Sequence, residues 1–92
     1  MQELTIKMPK GDVSITLNEP NFDQYRGAML AMETPGGKND RLAGGNFILT
    51  ACIINEDRDK LDVIKADVKA HASAALEASD LLTVYNVELK KK

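Results

Sequence analysis

The chain has 92 residues, a formal net charge of −2, and 28% charged and 43% hydrophobic residues. This length suits a single small domain spanning residues 1–92, and the composition is that of a folded globular protein rather than a disordered one. The near-neutral charge argues against nucleic-acid binding, because nucleic-acid-binding modules usually carry a basic stripe.

Reactive side chains are few: one cysteine (Cys52), one histidine (His71) and no tryptophan. One cysteine cannot form an internal disulfide, and one histidine leaves a zinc site short of ligands. We therefore expect no cofactor, no metal and no enzymatic activity. The longest apolar run, residues 47–54, is too short to cross a bilayer, which takes roughly 20 residues. The N-terminal residues have no signal-peptide pattern, so we expect a cytoplasmic protein without membrane contact.

The N-terminal segment alternates apolar and polar residues on both sides of a turn at residues 9–12. The apolar positions of this alternation are Leu4, Ile6, Met8, Val13, Ile15 and Leu17. Period-two patterning around a Pro/Gly turn predicts a β-hairpin. Its apolar face needs a cover, because an isolated two-stranded hairpin is marginal in water.

A helix is predicted over residues 22–33. Asn21 is a suitable N-cap with Gln24 as its capping-box partner, although Asn18 is an alternative cap. Phe22, Tyr25, Met29 and Met32 recur at helical spacing. Proline and two glycines then end the helix, so residues 34–40 should form an exposed loop.

Residues 41–54 have a strand-like composition but also helical spacing of apolar residues, and Asp40 can cap a helix. Gly44 and Gly45 weaken a helix by about 1 kcal/mol each. We favour a buried helix, because the element is longer than a typical strand.

A further helix is predicted across residues 56–82. Its apolar stripe comprises Leu61, Ile64, Val68, Ala72, Ala75, Leu76 and Leu82. Residues 83–92 fit either a helix or a strand, and the alternation of Tyr85, Val87 and Leu89 favours a strand that could join the hairpin. Together these elements predict an α+β fold, with the hairpin packed against about three helices.

Two apolar surfaces are candidates for binding a partner. The first contains the residues Phe22, Tyr25, Met29 and Met32, because methionine-rich faces adapt to varied partners. The second contains Ala72, Ala75 and Leu76, where small side chains permit close approach. Packing in the core is the plain alternative for the first set, since a helix in a domain this small must bury one face.

Three stretches of the chain resemble small phage and prophage proteins encoded beside tail genes, several of which are tail-assembly chaperones. These stretches are residues 21–25, residues 49–54 with the acidic break that follows, and residues 72–76 running to the Leu-Lys-Lys-Lys ending. The resemblance covers most of residues 20–92. It implies a non-enzymatic protein that binds the long helical tape-measure protein of the tail and transiently shields its apolar helical segments.

Other functions remain open at this point. Self-association could use the same apolar face or the free edge of the hairpin. The chain could instead be a structural component retained in a virion or another assembly, or a small ligand-binding domain or enzyme. A deep cleft with converging polar groups would favour the last of these, whereas a flat apolar patch would favour protein binding.

Overall fold

The computed structural model describes residues 1–84, 88 and 90. Its elements, in chain order, are β1 (Gln2–Ile6), β2 (Val13–Leu17), α1 (Phe22–Met32), α2 (Arg41–Cys52), a 3₁₀ turn (Asn55–Asp57), α3 (Arg58–Lys65), α4 (Val68–Ala78) and a second 3₁₀ turn (Ser79–Leu82). The α+β prediction is confirmed. The strand predicted for the C-terminal segment falls largely on positions outside the described residues.

The predicted hairpin is present, with β1 and β2 antiparallel. Leu4 lies opposite Ile15, and Thr5 lies opposite Ser14 with their hydroxyl oxygens 2.9 Å apart. The connecting turn places Gly11 at φ 130°, a conformation that other residues rarely adopt, and the Gly11 N–H donates to the Met8 carbonyl. β1 packs on α4 and β2 packs on α3, so helices cover the apolar face of the hairpin.

The outer edge of β2 is covered by the chain that follows α2. The Asn18 N–H donates to the Cys52 carbonyl, and the Ile54 N–H donates to the Thr16 carbonyl. The Thr16 N–H donates in turn to Oδ2 of Asp57 at 2.7 Å. These bonds satisfy backbone groups that an edge strand would otherwise present to other chains.

The helices α1 and α2 begin directly after the N-cap residues that the sequence predicts, Asn21 and Asp40. The Asn21 side chain accepts from the Gln24 N–H, and the Gln24 side chain accepts from the Asn21 N–H, which completes the capping box. Asp40 caps α2 by accepting from the Ala43 N–H. The helix predicted for residues 41–54 is confirmed, and it ends at Cys52.

The prediction of a single helix across residues 56–82 is wrong. The chain forms α3 and α4 as separate helices, with a break at Ala66 and Asp67. Asp67 has an extended backbone, and its Oδ1 accepts from the N–H groups of Lys69 and Ala70, so it acts as the N-cap of a new helix. This change of direction removes Val68 from the predicted apolar stripe and leaves it exposed.

One hydrophobic core joins the hairpin to the helices. It contains Ile6, Ile15, Leu17, Ala28, Met32, Ile48, Leu49, Cys52, Ile53, Leu61, Ile64, Ala70, Ala74, Ala75, Ala78 and Leu82. α2 lies between α1 and α4 and packs against both. In the part of the chain that the structure describes, no helix has the length and apolar character needed to cross a bilayer.

Candidate functional site

α2 is unusual because its apolar residues are not confined to one side. After Arg41 the helix contains no charged residue, and its sequence reads RLAGGNFILTAC. One side is buried and contains Gly44, Gly45, Ile48, Leu49 and Cys52. The opposite side reaches solvent at Leu42, Asn46 and Thr50. A surface helix normally carries charged residues on its outer side. This side of α2 carries none, and no described element covers it.

Shallow grooves run along both flanks of this exposed side. The α1/α2 groove has a volume of about 420 Å³ and is lined by Ala31, Ala43, Asn46, Phe47, Thr50 and Ala51. The α2/α4 groove has a volume of about 330 Å³ and is lined by Asp40, Leu42, Ala43, Asn46, Val68, His71, Ala72 and Ala75. Ala43 and Asn46 line both grooves, so the grooves adjoin across α2. We call the exposed side of α2 and its two flanking grooves the α2 face.

Large apolar side chains lie in or beside the α2/α4 groove. The exposed fractions are 46% for Leu42, 81% for Val68 and 42% for Leu76, which is one helical turn beyond Ala72. Single exposed apolar residues are common, whereas larger exposed apolar patches are typical of surfaces at which proteins associate.

Polar side chains connect α2 with α4 and with the 3₁₀ turn that follows it. Oδ1 of Asn46 lies 2.7 Å from Nε2 of His71. At the start of α2, Nη2 of Arg41 donates to Oγ of Ser79 at 2.9 Å and to Oδ1 of Asp80 at 3.3 Å. Arg41 therefore joins the start of α2 to the 3₁₀ turn that follows α4, and Asn46 joins the middle of α2 to α4.

The structure separates the first predicted binding set into surface and core. Phe22 is 80% exposed and Met29 is 40% exposed, so both lie on the outer side of α1. The Tyr25 hydroxyl donates to the Leu82 carbonyl at 2.7 Å. Met32 is buried in the core beside Gly44. These four residues do not form one continuous surface, because Phe22 and Met29 are exposed, Tyr25 is half-buried and Met32 is buried.

The second predicted set lies at the α2 face. Ala72 and Ala75 both line the α2/α4 groove, and Leu76 is exposed beside them. Ala75 is nearly fully buried, because its backbone approaches Gly45 of α2 closely. Ala72 and Leu76 therefore remain as candidate contact residues, while Ala75 sets the depth of the groove.

Sequence reasoning missed the contributions of Leu42, Phe47 and Val68 to this surface. The signal for Leu42 and Phe47 was the absence of charge throughout residues 42–52. No comparable signal existed for Val68, whose exposure follows from the break between α3 and α4.

The single cysteine and the single histidine each contact an amide side chain. Cys52 is buried, and its pKa is raised by burial and, to a smaller extent, by the negative charge of Glu19. Sγ of Cys52 donates to Oε1 of Gln24 at 3.6 Å. His71 is engaged with Asn46. No group of three or more histidine, cysteine, aspartate or glutamate residues is placed to hold a metal ion in residues 1–84, 88 and 90.

Comparison of the chain with protein-family models, with curated protein sequences and with solved structures finds no match.

Proposed function

We propose that this chain is a non-enzymatic protein-binding factor that holds an amphipathic helix of another protein against the α2 face. The observation that supports the proposal most directly is the uncharged outer side of α2, flanked by two shallow grooves. Recognition of an amphipathic helix by an apolar groove is a recurrent mode of protein binding.

The dimensions and chemistry of the surface indicate the kind of partner. Ala43 and Ala72 have small side chains, which let the backbone of a docked helix approach α2 and α4 closely. Leu42, Val68 and Leu76 would then contact the apolar stripe of that helix from the side. Beyond Arg41, α2 itself has no charged residue, so the stripe that contacts α2 should be apolar and uncharged. Asp40 also lines the α2/α4 groove, so the docked helix can place a polar or basic residue there.

The resemblance to tail-assembly chaperones supplies a candidate partner class. The proposed partner is a helical segment of a phage tail tape-measure protein, bound in the cytoplasm during assembly. In this role the chain would cover apolar stripes until those helices are packed in the tail. Binding of this type requires no catalytic group and no cofactor.

The experiment measures binding of fluorescently labelled helical peptides taken from tail tape-measure proteins. The unmodified chain should bind peptides that carry an apolar stripe and should not bind peptides of the same composition in scrambled order. Val68→Lys and Leu76→Lys should each weaken binding roughly tenfold or more, because each places a charge against an apolar stripe that excludes water.

Val63 provides a matched control. It is an exposed valine on α3, outside both grooves of the α2 face. Val63→Lys should leave peptide affinity unchanged, and circular dichroism should show that all three variants retain their helices. Equal loss of affinity in Val63→Lys and Val68→Lys, or equal binding of the scrambled peptide, would contradict the proposal.

A further inference from the structure

A second surface lies on the other side of α4, where β1 forms an edge of the hairpin that no other described strand covers. A groove of about 620 Å³ runs between β1 and α4, lined on the strand side by residues 3–9 and on the helix side by residues 67–77. Among the described residues, the backbone hydrogen bonds of β1 all go to β2. The hairpin therefore has one edge that residues 52–57 cover and one that can accept a further strand.

The sequence of β1, together with Lys7 directly after it, is complementary to itself in one antiparallel register. If two copies of β1 pair with Thr5 opposite Thr5, Glu3 of each copy lies opposite Lys7 of the other. Leu4 then lies opposite Ile6, so the apolar faces of the two strands coincide. Shifting the register by two residues in one direction places Glu3 opposite Thr5, and in the other direction it places Lys7 opposite Thr5, so the opposite charges no longer pair. Shifting by two residues more places Glu3 opposite Glu3 or Lys7 opposite Lys7. Charge and apolar patterning thus select the same symmetric register.

The exposed flank of α4 shows the same symmetry. Lys69, Ser73 and Glu77 are spaced four residues apart, are exposed, and line the groove beside β1. A two-fold axis that passes near Thr5 in the sheet places the two α4 helices antiparallel on the same side of that sheet. With Ser73 near the axis, Lys69 of each copy faces Glu77 of the other, so this second layer is also complementary in charge.

We propose that this chain forms a two-fold symmetric homodimer through the β1 edge. The two hairpins join into one four-stranded antiparallel sheet, and the flanks of the two α4 helices meet above the junction. The occupant of the β1–α4 groove is thus the β1 strand of a second copy. This interface is separate from the α2 face, so it leaves both copies free to bind a helix.

The test uses two charge reversals and their mixture, with the full chain studied by sedimentation velocity and native mass spectrometry. The unmodified chain should be a dimer. Glu3→Lys places two Lys–Lys contacts in the junction, and Lys7→Glu places two Glu–Glu contacts there. Each variant alone should dimerise roughly tenfold or more weakly, because two favourable cross-strand pairs become repulsive.

The mixture tests the charge pairing across the junction, and a chain that carries both reversals tests the register. In a heterodimer of Glu3→Lys with Lys7→Glu, both cross-strand pairs become attractive again, so mixing the two variants should restore dimers. A chain carrying both reversals should also form homodimers. Glu33→Lys, a reversal of the same kind at an exposed site after α1, should leave the dimer unchanged.

Two results would overturn the proposal. The first is an unmodified chain that stays monomeric at all accessible concentrations. That result is expected if the charge of Lys7 prevents a second strand from pairing with β1, or if another segment of the same chain pairs with β1. The second is a dimer that the single reversals do not weaken or that mixing does not restore, because that dimer would use a different surface. Circular dichroism of each variant shows whether the hairpin and helices persist, and the rescue by mixing requires both variants to be folded.

Discussion

The two sides of α2 illustrate different ways in which one helix can be used. On the buried side, Gly44 and Gly45 bring the helix against Met32 and the backbone of Ala75. On the open side, Leu42 and its neighbours lie beside shallow grooves with no covering element in the described structure. The comparison teaches that one helix with no charged residue after Arg41 can serve as both core and surface. On the buried side, small residues allow the neighbouring helices to pack closely, and on the open side the lack of charge distinguishes α2 from an ordinary solvent-facing helix.

Adding a single methyl group on the buried side of α2 should lower the stability of the protein more than a substitution on the open side. In Gly45→Ala the added Cβ would meet the carbonyl of Ala75, which is backbone and cannot move aside as a flexible side chain can. We expect a loss of about 3 kcal/mol in the free energy of unfolding, at the upper end for overpacking. Urea unfolding followed by circular dichroism measures this loss.

Gly27→Ala is the control for that prediction. Its added Cβ would meet the ring of Phe47, a half-buried side chain at the α1/α2 groove that has room to rotate. Alanine also favours the helix by about 1 kcal/mol over glycine, so Gly27→Ala should cost far less than Gly45→Ala. Equal losses in the two variants would show that α2 does not pack on α4 as closely as described.

Substitution in the 3₁₀ turn that follows α2 should have the next largest effect on the free energy of unfolding. Asp57 is buried, and its carboxylate accepts from the Thr16 N–H on the covered edge of β2. Asp57→Ala leaves that N–H without a partner and should lower the free energy of unfolding by about 2 kcal/mol. Asp57→Asn keeps an acceptor of similar shape and should lose less. Hydrogen exchange at the Thr16 amide should quicken in Asp57→Ala, and unchanged exchange would contradict the role given to this bond.

Much of the fold is predictable from the sequence where the signals are local. The hairpin and the caps at Asn21 and Asp40 depend on residues within a few positions of one another, so period-two patterning and cap chemistry suffice to predict them. The break at Asp67 is not predictable in this way, because the apolar spacing of residues 61–76 continues across it. One aspartate with an extended backbone decides between one helix and two.

The separation of Met29 and Met32 into a partly exposed and a buried residue has a different cause. Met29 and Met32 belong to the same apolar face by spacing, but α1 turns its small residue Ala28 fully inward. That orientation buries Met32 and leaves Met29 partly exposed. Helical spacing predicts that one face is buried, whereas the centre of that face depends on how closely the neighbouring helices approach.

The open side of α2 should tolerate substitution with the smallest effect on stability. Asn46→Ala removes the contact with His71, but both side chains reach solvent and can bond to water instead. Leu42→Ser removes a half-exposed side chain. Each change should alter the free energy of unfolding by no more than about 0.5 kcal/mol. A loss as large as that of Gly45→Ala would show that this side of α2 belongs to the core.

The central claim is that the α2 face binds a helix of another protein, and a methyl NMR titration tests it most directly. On addition of a tape-measure helical peptide, the methyl signals of Leu42, Val68 and Leu76 should shift together and saturate, while those of Val63 on α3 stay in place. Signals that remain unchanged throughout, or shifts as large at Val63 as at Val68, would contradict the claim.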